Sequence, residues 1–424
     1  MEATVNKSSY SRKYELTVVI LFFLTWGFVF LDRLSISFLL PVIQPELAIS
    51  NMQVGILGFV TTGAYALSAI GFGALSDKSG YRKRWLVLFV FITAASTGLC
   101  ALAQSYTHLL ILRTIVGVGE GPLFALMMSI LARNSGENAF GRNAGIVNVG
   151  VGLLAVTLGP IMVTQLVAHF TWQLTFLLTC LPSVVMGVLI VFMIKELKVL
   201  SGDDADNQDL QELKAKRGGV AAILAQKNIL LCTIISFGSM AGFWALALYA
   251  PLYLTNVAGL SVQEMGFVTA VMGILYMVYS FLVPKLSDNF GRKPALIIFY
   301  ILCILAPLIM WLSPGTGAAI WAYMLFGGTP GAMTPVFAVL MPMETVADNL
   351  RATAQGTVNG VGEFFGGSLM PIATGRLADL HGLPTTMAAG AGFFALCFIV
   401  SLFVKETNPY ILAKRAGKKT SKAA

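Results

Sequence analysis

Charge is what this sequence lacks most. Asp, Glu, Lys and Arg together make up 11% of its 424 residues, and hydrophobic side chains 57%, where a soluble globular domain carries roughly 25% charged residues. Such a chain cannot cover its apolar residues with a hydrated surface, which excludes a soluble enzyme or binding domain. Cysteine is scarce too. Cys100, Cys180, Cys232, Cys303 and Cys397 stand singly in five separate hydrophobic segments, a spacing that offers neither a disulfide framework nor a thiolate metal site. They read as small packing residues. With three scattered histidines and no phosphate-loop, zinc or Ser/His/Asp signature, no catalytic constellation, metal or cofactor is expected.

What the sequence has in place of charge is long apolar runs. Twelve stretches are long enough to cross a bilayer as helices: near 16–40, 52–75, 86–104, 107–132, 143–167, 173–194, 229–254, 263–285, 295–313, 317–341, 351–375 and 386–404. The first is too long for a signal-peptide core and is expected to be retained. The net charge of +8 does not point to nucleic acid. With the N-terminus in the cytoplasm, every Lys and Arg except Arg33, Arg113 and Arg376 falls on a cytoplasmic segment, and that asymmetry orients the protein with both termini inside a cell membrane, expected to be a bacterial inner membrane. The basic end "KRAGKKTSK" suits a position near anionic headgroups.

Residues 195–228 form the longest polar stretch, with "DDADNQDLQE", "KAKR" and Gly218-Gly219, as in a cytoplasmic linker. The expected organisation is a bundle of six helices over 1–194, the linker 195–228, a second bundle over 229–405 and a basic tail over 406–424. At an offset of 211 residues the halves correspond without a gap from Ser50 to Gly80 against Ser261 to Gly291: Ser50 matches Ser261, Gly55 matches Gly266, Tyr65 matches Tyr276, and "LSDKSG" at 75 matches "LSDNFG" at 286. Repeated halves put a substrate site between them near the bilayer midplane and move it by rocking, which argues for a carrier.

"GALSDKSGYRKR" at 73–84 resembles the loop between the second and third spans of the major facilitator superfamily, with Gly73, Asp77, Gly80, Arg82 and Lys83 at the family's positions. "RNAG" from Arg142 and "RATAQG" from Arg351 extend the likeness to the fifth and eleventh spans. The resemblance covers essentially the whole chain and implies an all-α fold of twelve transmembrane helices in two pseudo-symmetric six-helix bundles. It also implies an inner gate in which Asp77, near Arg142, meets the start of the eleventh helix. A carboxylate gains there from the helix dipole and unpaired amides. A tight turn with positive anchors is the plainer account of the same loop. The second copy keeps Asp288 and Arg292 but has Pro294 in place of a third basic residue, so a weaker gate is expected there.

Away from span ends, deep charges are few: Asp32 and Arg33 in the first span, Arg113 and Glu120 in the fourth, Glu363 in the eleventh. At ~1.5 Å rise per residue, Asp32 lies roughly 13 Å and Arg113 roughly 9 Å below the outer surface, so these two can meet. Glu120 follows Arg113 by seven residues on nearly the same face. Gly117, Gly119 and Gly121 let neighbouring helices approach or leave backbone beside a cavity. A partly desolvated carboxylate there is able to carry a proton. Arg33 offers a planar, permanently charged fork for a carboxylate, sulfonate or phosphate, and Asp32 with Arg113 suits a pair or a proton-sensitive switch.

"LDR" at 31–33, Tyr65, and Arg113 with Glu120 in "RTIVGVGE" resemble the organic anion/proton symporters of the anion:cation symporter family. That likeness implies substrate contacts for Arg33 and Tyr65 and proton coupling for Asp32 and Glu120. "DRLSISFLLPVIQPEL" and "VGVGEG" also resemble spinster-type lipid carriers. Sugar-acid carriers tend to have a polar amide after "GIVNVG"; this chain has Val151, with Asn148 a turn away. The opposing half supplies Trp244, Tyr249, Tyr253, Tyr276 and Tyr279, with Trp244 at the counterpart of Arg33. One cationic and one aromatic wall favour a carboxylate with an apolar body, although such aromatics also serve as packing or an interfacial belt. Asn359 and Glu363, one turn apart, can add polar contacts, or Glu363 can hold a helix interface.

The expected function is proton-coupled symport of a small organic anion by alternating access, with Arg33, Tyr65, Asn148, Trp244, Tyr249, Tyr276 and Asn359 toward the substrate and Asp32, Arg113, Glu120 and Glu363 toward the proton. The expected partners are that anion, a proton and the lipid bilayer, with no obligatory protein partner. The competing accounts are a spinster-like lysolipid carrier or drug/proton antiporter, a membrane sensor that binds the anion without moving it, and a static charge network that only fixes packing.

Overall fold

A computed structural model describes residues 12–136, 139–196, 223–347 and 350–414, and all regular structure within them is helical. The helices are α1 (Arg12–Glu46), α2 (Asn51–Ser79), α3 (Arg82–Leu102), α4 (Tyr106–Asn134), α5 (Phe140–His169), α6 (Trp172–Met193), α7 (Lys227–Asn256), α8 (Val262–Phe290), α9 (Arg292–Leu312), α10 (Gly317–Thr345), α11 (351–381) and α12 (Pro384–Phe403). Eleven of them are long and apolar enough to span a membrane. The exception, α11, is as long as the others but rich in glycine and interrupted by Glu363, Arg376 and Asp379.

The sequence repeat becomes a repeated geometry. Ser50 and Ser261 each cap the next helix in a capping box, with Gln53 and Glu264 bonding back to the cap nitrogen, so α2 and α8 start in the same way. Gly80 and Gly291 end them at φ of +70° and +107°, a region that disfavours any side chain bearing a Cβ. In both halves a later carboxylate caps the following helix. Glu196 accepts from the amides of Lys83 and Arg84 at 3.1 Å each, and Glu406 accepts from Arg292 at 2.8 Å and Lys293 at 3.2 Å. These contacts extend the bundles past the limits suggested by composition. Glu196 and Asn228 come from the expected linker, and Glu406 to Asn408 from the expected tail, with Asn408 bonded to the carbonyls of Ser287 and Asp288. Short polar side chains that satisfy helix ends look, in a hydropathy profile, like the start of a loop.

Among the described residues, the bundles touch from one end to about mid-height. At the end opposite the described termini, called here the far end, a Cβ on Gly55 of α2 would collide with the Pro371 carbonyl of α11, and one on Gly375 with the Asn51 carbonyl. Gly266 and Gly273 of α8 meet Thr164 and Val156 of α5 just as closely. At the termini end, Gly71 and Gly73 on α2, Gly141 and Gly145 on α5, and Gly356 and Gly360 on α11 face open space. The apolar cores divide likewise. One cluster, including Phe22, Phe89, Met127 and Ile190, stays within the termini end of the first half. The larger one runs from the far part of that half, through Leu39, Leu57 and Phe176, into the second. Among the described residues, the halves are therefore closed at the far end and open at the other.

Candidate functional site

Asp32 and Arg33 are adjacent on α1, and the helical turn of about 100° per residue separates them. Asp32 points into its own bundle, where it is fully buried and Oδ2 accepts from Ser183 Oγ of α6 at 2.6 Å. Arg33 points to the interface between the halves. Its Nη2 donates to Thr62 Oγ1 at 3.0 Å, and Nη1 lies 3.5 Å from Glu120 Oε2. Its Cζ is 4.7 Å from the ring centroid of Trp244, 5.0 Å from that of Tyr65 and 5.7 Å from that of Phe30. Arg33 and Trp244, counterparts under the sequence repeat, thus stack on each other between the two halves.

The placement of Glu120 follows from its neighbours in sequence. Pro122 has no amide hydrogen to offer the Val118 carbonyl, and α4 is interrupted at Gly121-Pro122. The freed carbonyl accepts from Ser68 of α2. Gly117 and Gly121 let α4 press against the α2 backbone at Thr61 and Tyr65, and Gly119 lies against Thr93 of α3. Glu120 is the last residue before the interruption, with 1% of its surface exposed and neither carboxylate oxygen hydrogen-bonded. Its 3.5 Å approach to Arg33 is a charge contact without a directed bond. Across the interface, Trp244 Nε1 donates to Glu363 Oε2 at 3.3 Å, so one guanidinium is linked to a carboxylate in each half.

Other expected residues lie elsewhere. Arg113 does not pair with the Asp32 carboxylate. Its Nη1 donates to the Asp32 main-chain oxygen at 3.0 Å, its guanidinium sits over Phe176, and Asp32 Oδ1 and Arg113 Nε have no hydrogen-bond partner. The carboxylate and the guanidinium leave α1 and α4 in different directions, which rise along the helix axis alone cannot reveal. Tyr249 is a far-end residue, with its hydroxyl 3.0 Å from the Asn51 carbonyl and 2.8 Å from that of Pro371. Tyr276 lines a separate apolar cavity. Asn148 and Asn359 are exposed on α5 and α11, next to glycines that face open space, and Asn148 bonds the Ala144 carbonyl.

At the first gate loop, the Asp77 side chain lies outside the described residues. Gly73 is within α2, Arg82 opens α3, and exposed Arg142 reaches Asn143 at 3.4 Å. In the second copy, Arg292 bonds Asp288, Glu344 and Ser287 together, with 2.7 Å to Glu344 Oε1. Thr407 donates to the other Glu344 oxygen. Pro294 removes one basic residue, but Glu344, a second carboxylate from α10, engages Arg292.

A sequence profile of the Major Facilitator Superfamily matches residues 19–371. The chain belongs to the major facilitator superfamily. Among curated relatives of this major facilitator protein, a putative metabolite transport protein of Haemophilus influenzae is 27% identical over 88% of this chain and 91% of its own. A probable 4-methylmuconolactone transporter of Cupriavidus pinatubonensis is 26% identical over 85% of this chain and 83% of its own. A crystal structure of a bacterial homologue of the human lysosomal transporter Spinster, inward-facing and unoccupied, superposes with a TM-score of 0.77 at 18% identity, covering 93% of this chain and 98% of that one. This facilitator is a multi-pass membrane transporter and not an enzyme, with the twelve-helix fold that its repeat suggests.

Among the residues that sequence reasoning passed over are Thr62, Ser183, Glu344 and Asp379. Asp379 of α11 accepts from the amides of Asn51 and Met52 at 2.8 and 2.9 Å and from Asn51 Nδ2 at 3.0 Å, capping α2 across the halves. Like Glu344 it sits near a span end, where charge is expected anyway. Ser183 resembles any other small residue of an apolar helix.

Proposed function

We propose that this transporter carries a small organic anion together with a proton, by exchange of partners on Arg33. The observation that carries the reading is Glu120, a buried carboxylate 3.5 Å from Arg33 and without a hydrogen bond. A guanidinium between aromatic faces, with a charged partner that does not hold it by directed bonds, is able to accept a substrate carboxylate bidentately. While Glu120 is ionised, it competes with the substrate for Arg33. Once protonated, Glu120 no longer competes, so proton and anion load together. Departure of the proton restores the Arg33–Glu120 contact and expels the anion. The naming of one relative as a 4-methylmuconolactone transporter agrees with an organic acid as cargo.

In this reading the open end faces the cytoplasm, as the distribution of Lys and Arg favours, and both termini lie there. Glu363, linked to Arg33 through Trp244, reports occupancy to the second half. Asp32 and Arg113, unpaired through their side chains in this conformation, pair in another. The test is uptake into proteoliposomes of a panel of organic anions that includes permanently ionised sulfonates, which cannot cross lipid as neutral acids, with and without an inward proton gradient. Gradient-dependent accumulation of an anion is expected. Accumulation of lysolipids with none of any anion would overturn the reading in favour of a spinster-like carrier.

A further inference from the structure

A second space adjoins the Arg33 cluster, on the side of the α1–α7 contact away from Thr62. It is a cavity of about 120 Å³ between α1, α5, α7, α8 and α10. Phe30, Val151, Phe243, Ala247, Met272 and Tyr276 form much of its wall, and none of its lining residues is charged. The hydroxyl of Thr269, also on the wall, is engaged with the Met265 carbonyl at 2.8 Å.

Aromatic rings join the two places. Phe30 lines the space and also lies 5.7 Å from the Arg33 guanidinium carbon. Phe243 lines it and meets Trp244, the ring over Arg33, edge to face at 5.4 Å. The charge and the apolar space are thus about one ring apart. The far wall is fixed in place. A Cβ on Gly328 would come within 2.8 Å of the Tyr276 Cβ, and one on Gly331 within 2.7 Å of its ring, so Tyr276 is seated directly on the α10 backbone. A preformed apolar wall lowers the ordering cost of binding an apolar body. A polyhydroxylated body would find few partners there: of the lining residues, Thr269, Tyr276 and Tyr323 carry hydroxyls, and that of Thr269 is already engaged.

We propose that this space receives the hydrocarbon ring of the transported anion while its carboxylate lies on Arg33, so that the substrates are cyclic or aromatic monocarboxylates and not polyhydroxylated acids. This rests on the reading of Arg33 as the anion site. Phe30 and Tyr276 then act as specificity determinants, and the length of the substrate is set by the separation of Arg33 from the Tyr276 wall.

Calorimetric titration of the purified full-length protein in detergent with benzoate, cyclohexanecarboxylate, propionate and tartrate tests it. Benzoate and cyclohexanecarboxylate are expected to bind roughly tenfold or more tightly than propionate or tartrate. Ala247→Phe, which projects a ring into the space, is expected to lower the benzoate-to-propionate affinity ratio by about tenfold; Met272→Trp serves the same purpose if the first variant does not elute as a folded protein. Tight tartrate binding that depends on Arg33, without benzoate binding, would overturn the ring site and leave the anion reading intact. An unchanged ratio in a folded filling variant would also overturn the ring site. Absence of binding by all four anions would overturn both.

Discussion

At the scale of single residues, the chemistry is set by which neighbour each charge meets. Arg33 faces Glu120, Thr62 and three aromatic rings, whereas Asp32 faces a serine. Arg33→Lys keeps the charge but loses the planar fork that bonds Thr62 while lying over Trp244 and Tyr65, and is expected to weaken anion binding roughly tenfold or more, as measured by calorimetry. Glu120→Gln removes the competitor for Arg33 and the proton acceptor together. Gradient-driven accumulation is expected to vanish while exchange of internal for external substrate persists; retention of both activities would remove Glu120 from the mechanism. The charges themselves were legible in the sequence because they are rare in apolar helices and costly there. Their pairing was not: Asp32 and Arg113 come near each other as the estimated depths require, yet only through the Asp32 main-chain oxygen.

At the scale of helices, proline and glycine determine where backbones can touch and where carbonyls are freed. Pro122 interrupts α4 directly after Glu120, and α5, α10 and α11 widen into π-helical segments over Val151–Leu158, Pro335–Leu340 and Gly362–Leu369. Those of α5 and α11 border the site, where such irregularities are common. Gly121→Val would push α4 off the Tyr65 carbonyl; a folded variant is expected to lose anion binding, because Glu120 and Thr62 no longer flank Arg33 together. At the gate loop of the second half, Glu344→Ala strips a partner from buried Arg292. A loss of about 3 kcal/mol is expected, by the usual cost of breaking such a pair, and a thermal-unfolding series against Glu344→Gln would measure it.

At the scale of the whole molecule, the two halves are held together at the far end by a small number of polar contacts around glycine-lined helix crossings. Asp379 accepts three hydrogen bonds from the start of α2, and Tyr249 bridges the carbonyls of Asn51 and Pro371. Asp379→Asn can keep the bonds to Asn51, but its amide would oppose the Met52 N–H. The variant is expected to shift the population toward a far-end-open state by about tenfold, a change of ~1.4 kcal/mol in the equilibrium. Distances between spin labels on the two halves would report it, and an unchanged distribution would show that the seal rests on the glycine crossings.

The sequence by itself determined that the chain spans a membrane, that it is a doubled six-helix design, and which charges stand inside it. Those properties follow from hydropathy, from a repeat that preserves Ser50 and Ser261 with their caps, and from the cost of burying ions, all of which act locally along the chain. Only the tertiary structure decided which charge faces which. It sent Asp32 to Ser183 and Arg33 to Glu120, moved Tyr249 from the site to the far-end seal, and brought Asp379 across to Asn51. The physical reason is that neighbouring residues on a helix diverge by about 100°, so their partners come from helices far away in sequence, and the packing of the two halves chooses among them.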